Sequence, residues 1–263
     1  MRAMAILLLA GLLTACAKVP ITGRRQMNLI NETTLIGMAD EQYREFLRTH
    51  QVLPPNDPRA QQVRGCGDRI AAAVTKYLTE NGMQNRVGQF QWEFNTVQDP
   101  TVNAWCMPGG KVVFYTGILP VTATETGLAV VMGHEVAHAV ARHGNERMSQ
   151  AIALEGAGMT LEVLTSQKPG LTRDIFLQSM GLGSGLGMLA FSRKHETEAD
   201  KLGLIFMAMA GYDPREAPMF WERMSAQSAG QAPPELLSTH PSDATRIRDL
   251  EAYMPEALKY YKP

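Results

Sequence analysis

The chain has almost no net charge, few cysteines and no long apolar run. Twenty-five basic residues against 26 acidic ones leave a formal charge of −1. There is no basic surplus to attract nucleic acid and no acidic tail. No internal repeat is visible, and low complexity is confined to a glycine-rich patch near 181–187. That excludes repeat architectures. The apolar stretch from Ile175 to Phe191 is too short to span a bilayer and is interrupted by Gln178, Ser179 and several glycines, so it reads as a packed interior helix. Disorder is excluded by a hydrophobic content of 45%. What remains, at 263 residues, is one sizeable domain with a real core.

The N-terminus reads as a targeting segment. Arg2 precedes a short apolar region from Ala5 to Leu13, and Leu13-Thr14-Ala15-Cys16 resembles a lipobox. On this reading residues 1–15 are a lipoprotein signal peptide and Cys16 carries lipid. Residues 16–30 are then a tether, and residues 31–263 form a single domain. The expected location is the bacterial periplasm, with the chain held to the outer (or inner) membrane by its lipid. In that oxidising compartment the two other cysteines, Cys66 and Cys106, are expected to pair.

Helical periodicity covers most of the chain. Leu35, Met38, Ala39, Tyr43, Phe46 and Leu47 mark an amphipathic helix over 32–49. Asp57-Pro58 starts a second, which runs to about Leu78 and buries Val63, Cys66, Ile70 and Val74. Alternation at Phe90, Trp92 and Phe94 reads as a strand. Val102 to Met107 and Lys111 to Thr116 read as two further β-runs around Pro108-Gly109-Gly110. Thr122 with Glu125 resembles a capping box for the helix that follows. Further helices are expected at about 147–165, 172–191, 195–210, 214–228 and 243–253, the last capped by Ser242 or Asp243. The fold class is therefore α+β, mostly helical, with a small sheet.

The chemistry centres on His134-Glu135-Val136-Ala137-His138. Residues four apart lie on one helical face, so both imidazoles can reach one zinc ion. Glu135, about 100° round the helix, is placed to take a proton from the attacking water. The flanking run Gly127 to Met132 makes this helix apolar nearly all round, hence buried, and buried ionisable groups are costly unless something binds them. A third ligand is required. A histidine extension of the motif fails, because position 144 is glycine. His143, carried about 140° round a continuing helix, faces away from His138. Another candidate is His195-Glu196-Thr197-Glu198-Ala199-Asp200, where Glu196 and Asp200 share a face and Glu198 points elsewhere. A solvated charged face is the competing reading of that segment.

Four segments, NAWCMPGGKVVFYTGIL, HEVAHAVARHGNER, ETEAD and STHPSDATRIRDL, resemble the gluzincin metallopeptidases, family forty-eight, which includes HtpX and the CAAX prenyl proteases. The soluble periplasmic lipoprotein members such as LoiP and the protease domain of BepA are the nearest in kind. The resemblance implies a zincin-like domain with one Zn2+ per chain on His134, His138 and Glu196. It makes Glu135 the general base, puts Asp200 behind a ligand, and places His240 near the metal. It also implies that Asn103, Ala104, Trp105, Cys106 and Met107 form the edge along which an extended polypeptide binds. The expected function is a zinc endopeptidase that cuts unfolded or misfolded envelope proteins. The alternative is a latent protease acting mainly as a chaperone or assembly factor.

Overall fold

A computed structural model of the chain describes residues 16–155, 161–182, 191–227, 234–240 and 244–262. The signal segment, the expected caps Ser242 and Asp243, and half of the apolar run before Phe191 lie outside these residues.

The first elements are a short antiparallel hairpin, β1 (Cys16–Lys18) and β2 (Arg25–Met27). The expected tether is thus a docked element. Val19 and Gln26 are buried, and Arg24 forms ion pairs with Glu146 and Glu198, over a hundred positions away. Two helices follow. α1 (Glu32–Thr49) is capped by the Asn31 side chain, and α2 (Pro58–Glu80) by Asp57 with proline in its first turn. Both starts match the sequence signals. A short helix, α3 (Gln84–Val87), leads into the sheet.

The sheet has three strands, β3 (Glu93–Val97), β4 (Ala104–Met107) and β5 (Lys111–Tyr115), in the order β3-β5-β4. β5 is central, parallel to β3 and antiparallel to β4, with Ala104 opposite Phe114 and Met107 opposite Lys111. Side chains alternate across a sheet, and here the alternation separates two cores. Val112 and Phe114, with Ala104, join the main core with α2; Val113 and Tyr115, with Trp105 and Met107, join a second core with α1.

Beyond the sheet, a 3-10 turn (Thr116–Ile118) and α4 (Leu119–Thr122) lead to α5 (Glu125–Ala141). Thr122 closes α4. The cap of α5 is Thr124, which accepts from the Gly127 amide at 3.0 Å, so the expected capping box is absent. Glu125 turns outward to the Tyr212 hydroxyl instead, at 2.6 Å. The rest is helical: α6 (His143–Glu155), α7 (Leu161–Gln167), α8 (Pro169–Ser179), α9 (Arg193–Met209), α10 (Glu216–Ala226), α11 (Glu235–Thr239) and α12 (Ala244–Ala257). The helix expected over 172–191 stops at Ser179, and Gly181 follows in the left-handed region. No described helix is long and apolar enough to cross a membrane.

α5 and α9 form the central pair, and two glycines set their separation. A Cβ on Gly133 would sit 2.9 Å from the Gly203 carbonyl oxygen, and one on Gly203 would sit 3.0 Å from the His134 amide nitrogen. Backbone atoms cannot yield as flexible side chains do, so even a methyl group forces the helices apart. Gly203→Ala is expected to lower stability by about 1–3 kcal/mol in urea unfolding. It is also expected to weaken metal retention, since the two helices carry the facing donors. Wild-type values for both would mean that the close approach is not required.

The expected Cys66–Cys106 bridge is not formed; both thiols are free. Cys66 lies on the buried face of α2 beside Tyr212, where burial pushes its thiol up to about 12. Cys106 belongs to β4, where burial likewise raises its thiol well above the ordinary value. Each is held as a small apolar group by a different set of neighbours.

Candidate metal centre

α5 is buried over Gly127 to Ala141, so His134, Glu135 and His138 are enclosed on every side. Opposite them, α9 starts at the Ser192 cap and presents Glu196 in its first turn and Asp200 one turn later. α11 ends at His240, whose side chain enters from a third direction. One donor atom from each of His134, His138, Glu196 and His240 lies within 4.8 Å of all the others. The His134 and His138 Nε2 atoms are 3.1 Å apart, and His240 Nδ1 is 3.3 Å from His134 Nε2 and 3.1 Å from Glu196 Oε1.

Buried nitrogens and oxygens gathered this closely suit a cation. Two histidine lone pairs and a carboxylate aimed at one point repel unless a positive charge sits between them. At the centre Glu135 Oε1 accepts no hydrogen bond, and Glu196 Oε2 is met only by the Arg246 guanidinium and the His134 ring, at 3.1 and 3.4 Å. The residues present therefore match a single metal ion, with nitrogen and oxygen donors of the type that zinc takes.

The electrostatics sort the group into roles. Burial pushes the Glu135 carboxyl up to about 7, even though His240 and Arg246 oppose the shift. Burial would also raise Glu196, but His240 and Arg246 hold it well below the usual carboxylate range. A carboxyl that titrates near neutrality beside one held ionised suits a proton acceptor next to a cation donor. His138 is held neutral by burial, as a ligand must be.

The two histidines of α5 are oriented from behind by different partners. His134 Nδ1 donates to Asp200 Oδ1 at 2.9 Å. Arg246 also holds Asp200, at 2.7 Å, stacks 3.4 Å over the Trp221 ring, and lies 3.1 Å from Glu196 Oε2. Sequence reading did not single out this arginine, although it lies within the STHPSDATRIRDL segment.

His143 was expected to face away, and the structure corrects this. Its Nδ1 is 2.9 Å from His138 Nδ1. Facing away requires the helix to continue past His138 without a break. In fact α5 ends at Ala141, with Arg142 in the left-handed conformation (φ 60), and a new helix begins at His143. That bend brings the imidazole back over its neighbour. Glu198, expected to point elsewhere, lies behind His143 at 3.2 Å.

β4 is an edge of the sheet, as the expected substrate edge requires, but its side chains are differently employed. Trp105 and Met107 are 3% and 1% exposed and point into the second core, so they offer no apolar platform to a ligand. Asn103 donates to Glu235 at 3.0 Å and ties the strand to the helix that ends in His240. Ala104 and Cys106 face the other way, and Cys106 shares a small cavity with His138 and Phe191.

A buried two-histidine helix crossed by a second helix bearing a glutamate defines the site of a zincin-type metallopeptidase. The chain belongs to peptidase family M48, whose profile matches residues 68–254. It is 39% identical to the mitochondrial metalloendopeptidase OMA1 of Schizosaccharomyces pombe, across 91% of this chain and 66% of that protein. Identity to human OMA1 is 32%, across 91% of this chain and 46% of that one. The beta-barrel assembly-enhancing protease of Escherichia coli is 29% identical, across 76% of this chain and 43% of its own length. The chain thus spans only part of these relatives.

These matches correct the expected location. The similarities that extend over nine-tenths of the chain are to proteins named as mitochondrial, and they overturn the placement as a lipoprotein of the bacterial periplasm.

Proposed function

We propose that this domain is a zinc endopeptidase that cuts extended or unfolded polypeptide segments and rests in a closed state. The observation that carries this is the quartet of donors with Glu135 beside it. His134, His138 and Glu196 would hold the ion, and His240 would take the fourth position at rest. Bound zinc supplies Lewis acidity toward the scissile carbonyl. Glu135 takes a proton from the attacking water and passes it to the leaving amine. β4 is the last strand of the sheet and largely buried, so an extended chain would pair with it only once the site opens, with specificity left to pockets other than Trp105 and Met107.

Latency has its own support. All four donor residues are at most 5% exposed, and Phe191 stacks on the His240 ring with centroids 5.0 Å apart. His240 Nε2 also lies 3.6 Å from Glu135 Oε1, so the same ring restrains the base. Substrate entry therefore requires α11 to withdraw His240. Because α11 is joined to the sheet through Asn103, occupation of the β4 edge would pull on the helix that carries His240.

Cleavage of reduced, unfolded casein tests this reading. Activity should vanish with a chelator and return with zinc. His240→Ala should keep its metal and cut casein faster and less selectively than wild type. A chelator-insensitive activity would refute the hydrolytic mechanism. A loss of about a hundredfold in His240→Ala would make His240 a stabiliser of the transition state rather than a restraint.

A further inference from the structure

Behind His138 a continuous series of buried polar groups runs to the N-terminal hairpin. His138 Nδ1 meets His143 Nδ1 at 2.9 Å, and His143 Nε2 meets Glu198 Oε2 at 3.2 Å. Glu198 in turn accepts from Arg24 Nε at 2.9 Å and from the Thr22 hydroxyl at 2.6 Å. The remaining nitrogens of Arg24 grip Glu146 in a two-pronged bond, at 2.8 and 2.6 Å, and Glu146 also accepts from His195 at 3.1 Å.

Only one assignment of protons satisfies this series. If His138 binds the metal through Nε2, its Nδ1 carries the hydrogen and donates it to His143 Nδ1. His143 then carries its own hydrogen on Nε2 and donates to Glu198. A carboxylate flanked by Arg24 and Thr22 is the acceptor that fixes that tautomer. Metal-binding histidines commonly hold a carboxylate directly. His134 does so through Asp200, whereas His138 reaches its carboxylate through a second imidazole.

We propose that Arg24 is a positioning residue for the metal centre, so that the hairpin of residues 16–27 completes the site from outside the helical pair. Its loop is built for the task. Val19 N donates to Arg24 O at 2.9 Å and Gly23 N to Val19 O at 3.0 Å. Ile21 and Gly23 both take positive φ, at 66° and 65°. A β-branched residue is rarely held in that region unless the surroundings impose it. The turn presents Thr22 and Arg24 together to Glu198. Undocking the hairpin would leave Glu146 and Glu198 without their cation and release the His143 ring from its orientation.

The inference rests on His138 being a metal ligand, and the test separates the two. Metal release to a competing chelator is timed in the folded, zinc-loaded full-length protein, alongside kcat and KM. Arg24→Gln and Glu198→Gln should each release metal about ten- to a hundredfold faster. In both, kcat should fall while KM changes less than about twofold. Arg24→Lys, which keeps the charge but cannot fork between two carboxylates, should lie between these and wild type. Adding Arg24→Gln to His143→Ala should cause little further change, because both act through one series. Should Arg24→Gln not fold, Glu198→Gln and Thr22→Val carry the same comparison. Wild-type release rates in the folded variants, or full additivity with His143→Ala, would overturn the proposal. Undiminished metal retention in His138→Ala would instead show that the ligand assignment is wrong.

Discussion

Glu135→Gln is expected to leave the fold and the metal in place and to lower turnover by about 10²–10⁴. Glutamine has nearly the same shape and keeps the side chain in its buried slot. Only the proton acceptor is lost. The fold does not need the charge, because Glu135 Oε1 accepts no hydrogen bond and burial opposes its ionisation. Stability should therefore be unchanged or slightly raised. The base works only when ionised, and its carboxyl is pushed up to about 7. Wild-type kcat/KM should accordingly rise with pH through an acidic limb that bound metal shifts downward. The residual activity of Glu135→Gln should lack that limb. Peptide cleavage at the wild-type rate in a folded, metal-loaded variant would remove Glu135 from the mechanism.

Glu196→Ala should lose metal far more completely than His240→Ala, by more than the roughly hundredfold that follows loss of a supporting partner. Glu196 is the only carboxylate in the donor quartet. Without it the ion would face neutral imidazoles in a buried site, where a charge needs an opposite charge. Arg246 adds to the effect. With Glu196 present its guanidinium is shared between Glu196 and Asp200. With Glu196 absent it is a second cation beside the metal, offset by Asp200 alone. Glu198 cannot substitute, because it is already held by His143, Arg24 and Thr22. Zinc analysis of the dialysed variants decides the matter. Equal retention in Glu196→Ala and wild type would make the three histidines the ligand set.

Much of the centre was legible because its geometry is local. The spacing of His134 and His138 depends only on helical pitch, and so does that of Glu196 and Asp200. The apolar flanks of α5 already implied burial. Misreadings arose where a local rule was extended past its range. His143 was placed by continuing a helix that stops at Ala141, and the left-handed Arg142 reverses its direction. Thr122 and Glu125 have capping-box spacing, but Thr122 belongs to the preceding helical turn and Thr124 makes the cap. Trp105 belongs to the binding edge that the family resemblance implies, and a resemblance does not fix the direction of a side chain. The side on which it points depends on which core each face of the sheet covers.

The sequence by itself determined the helix that carries His134, Glu135 and His138, the second helix with its carboxylates, and the strand–turn–strand beside them. These follow from periodicity and capping, which act over a few residues. Only the tertiary structure decided that α5 and α9 meet at Gly133 and Gly203, and that His240 closes the donor set. It also decided that Arg246 bridges the carboxylates and that Arg24 reaches Glu198 across 174 positions. No spacing rule reaches that far. Such contacts exist because buried charges must find partners, and the partner is whichever residue the packing of distant elements brings within hydrogen-bonding distance.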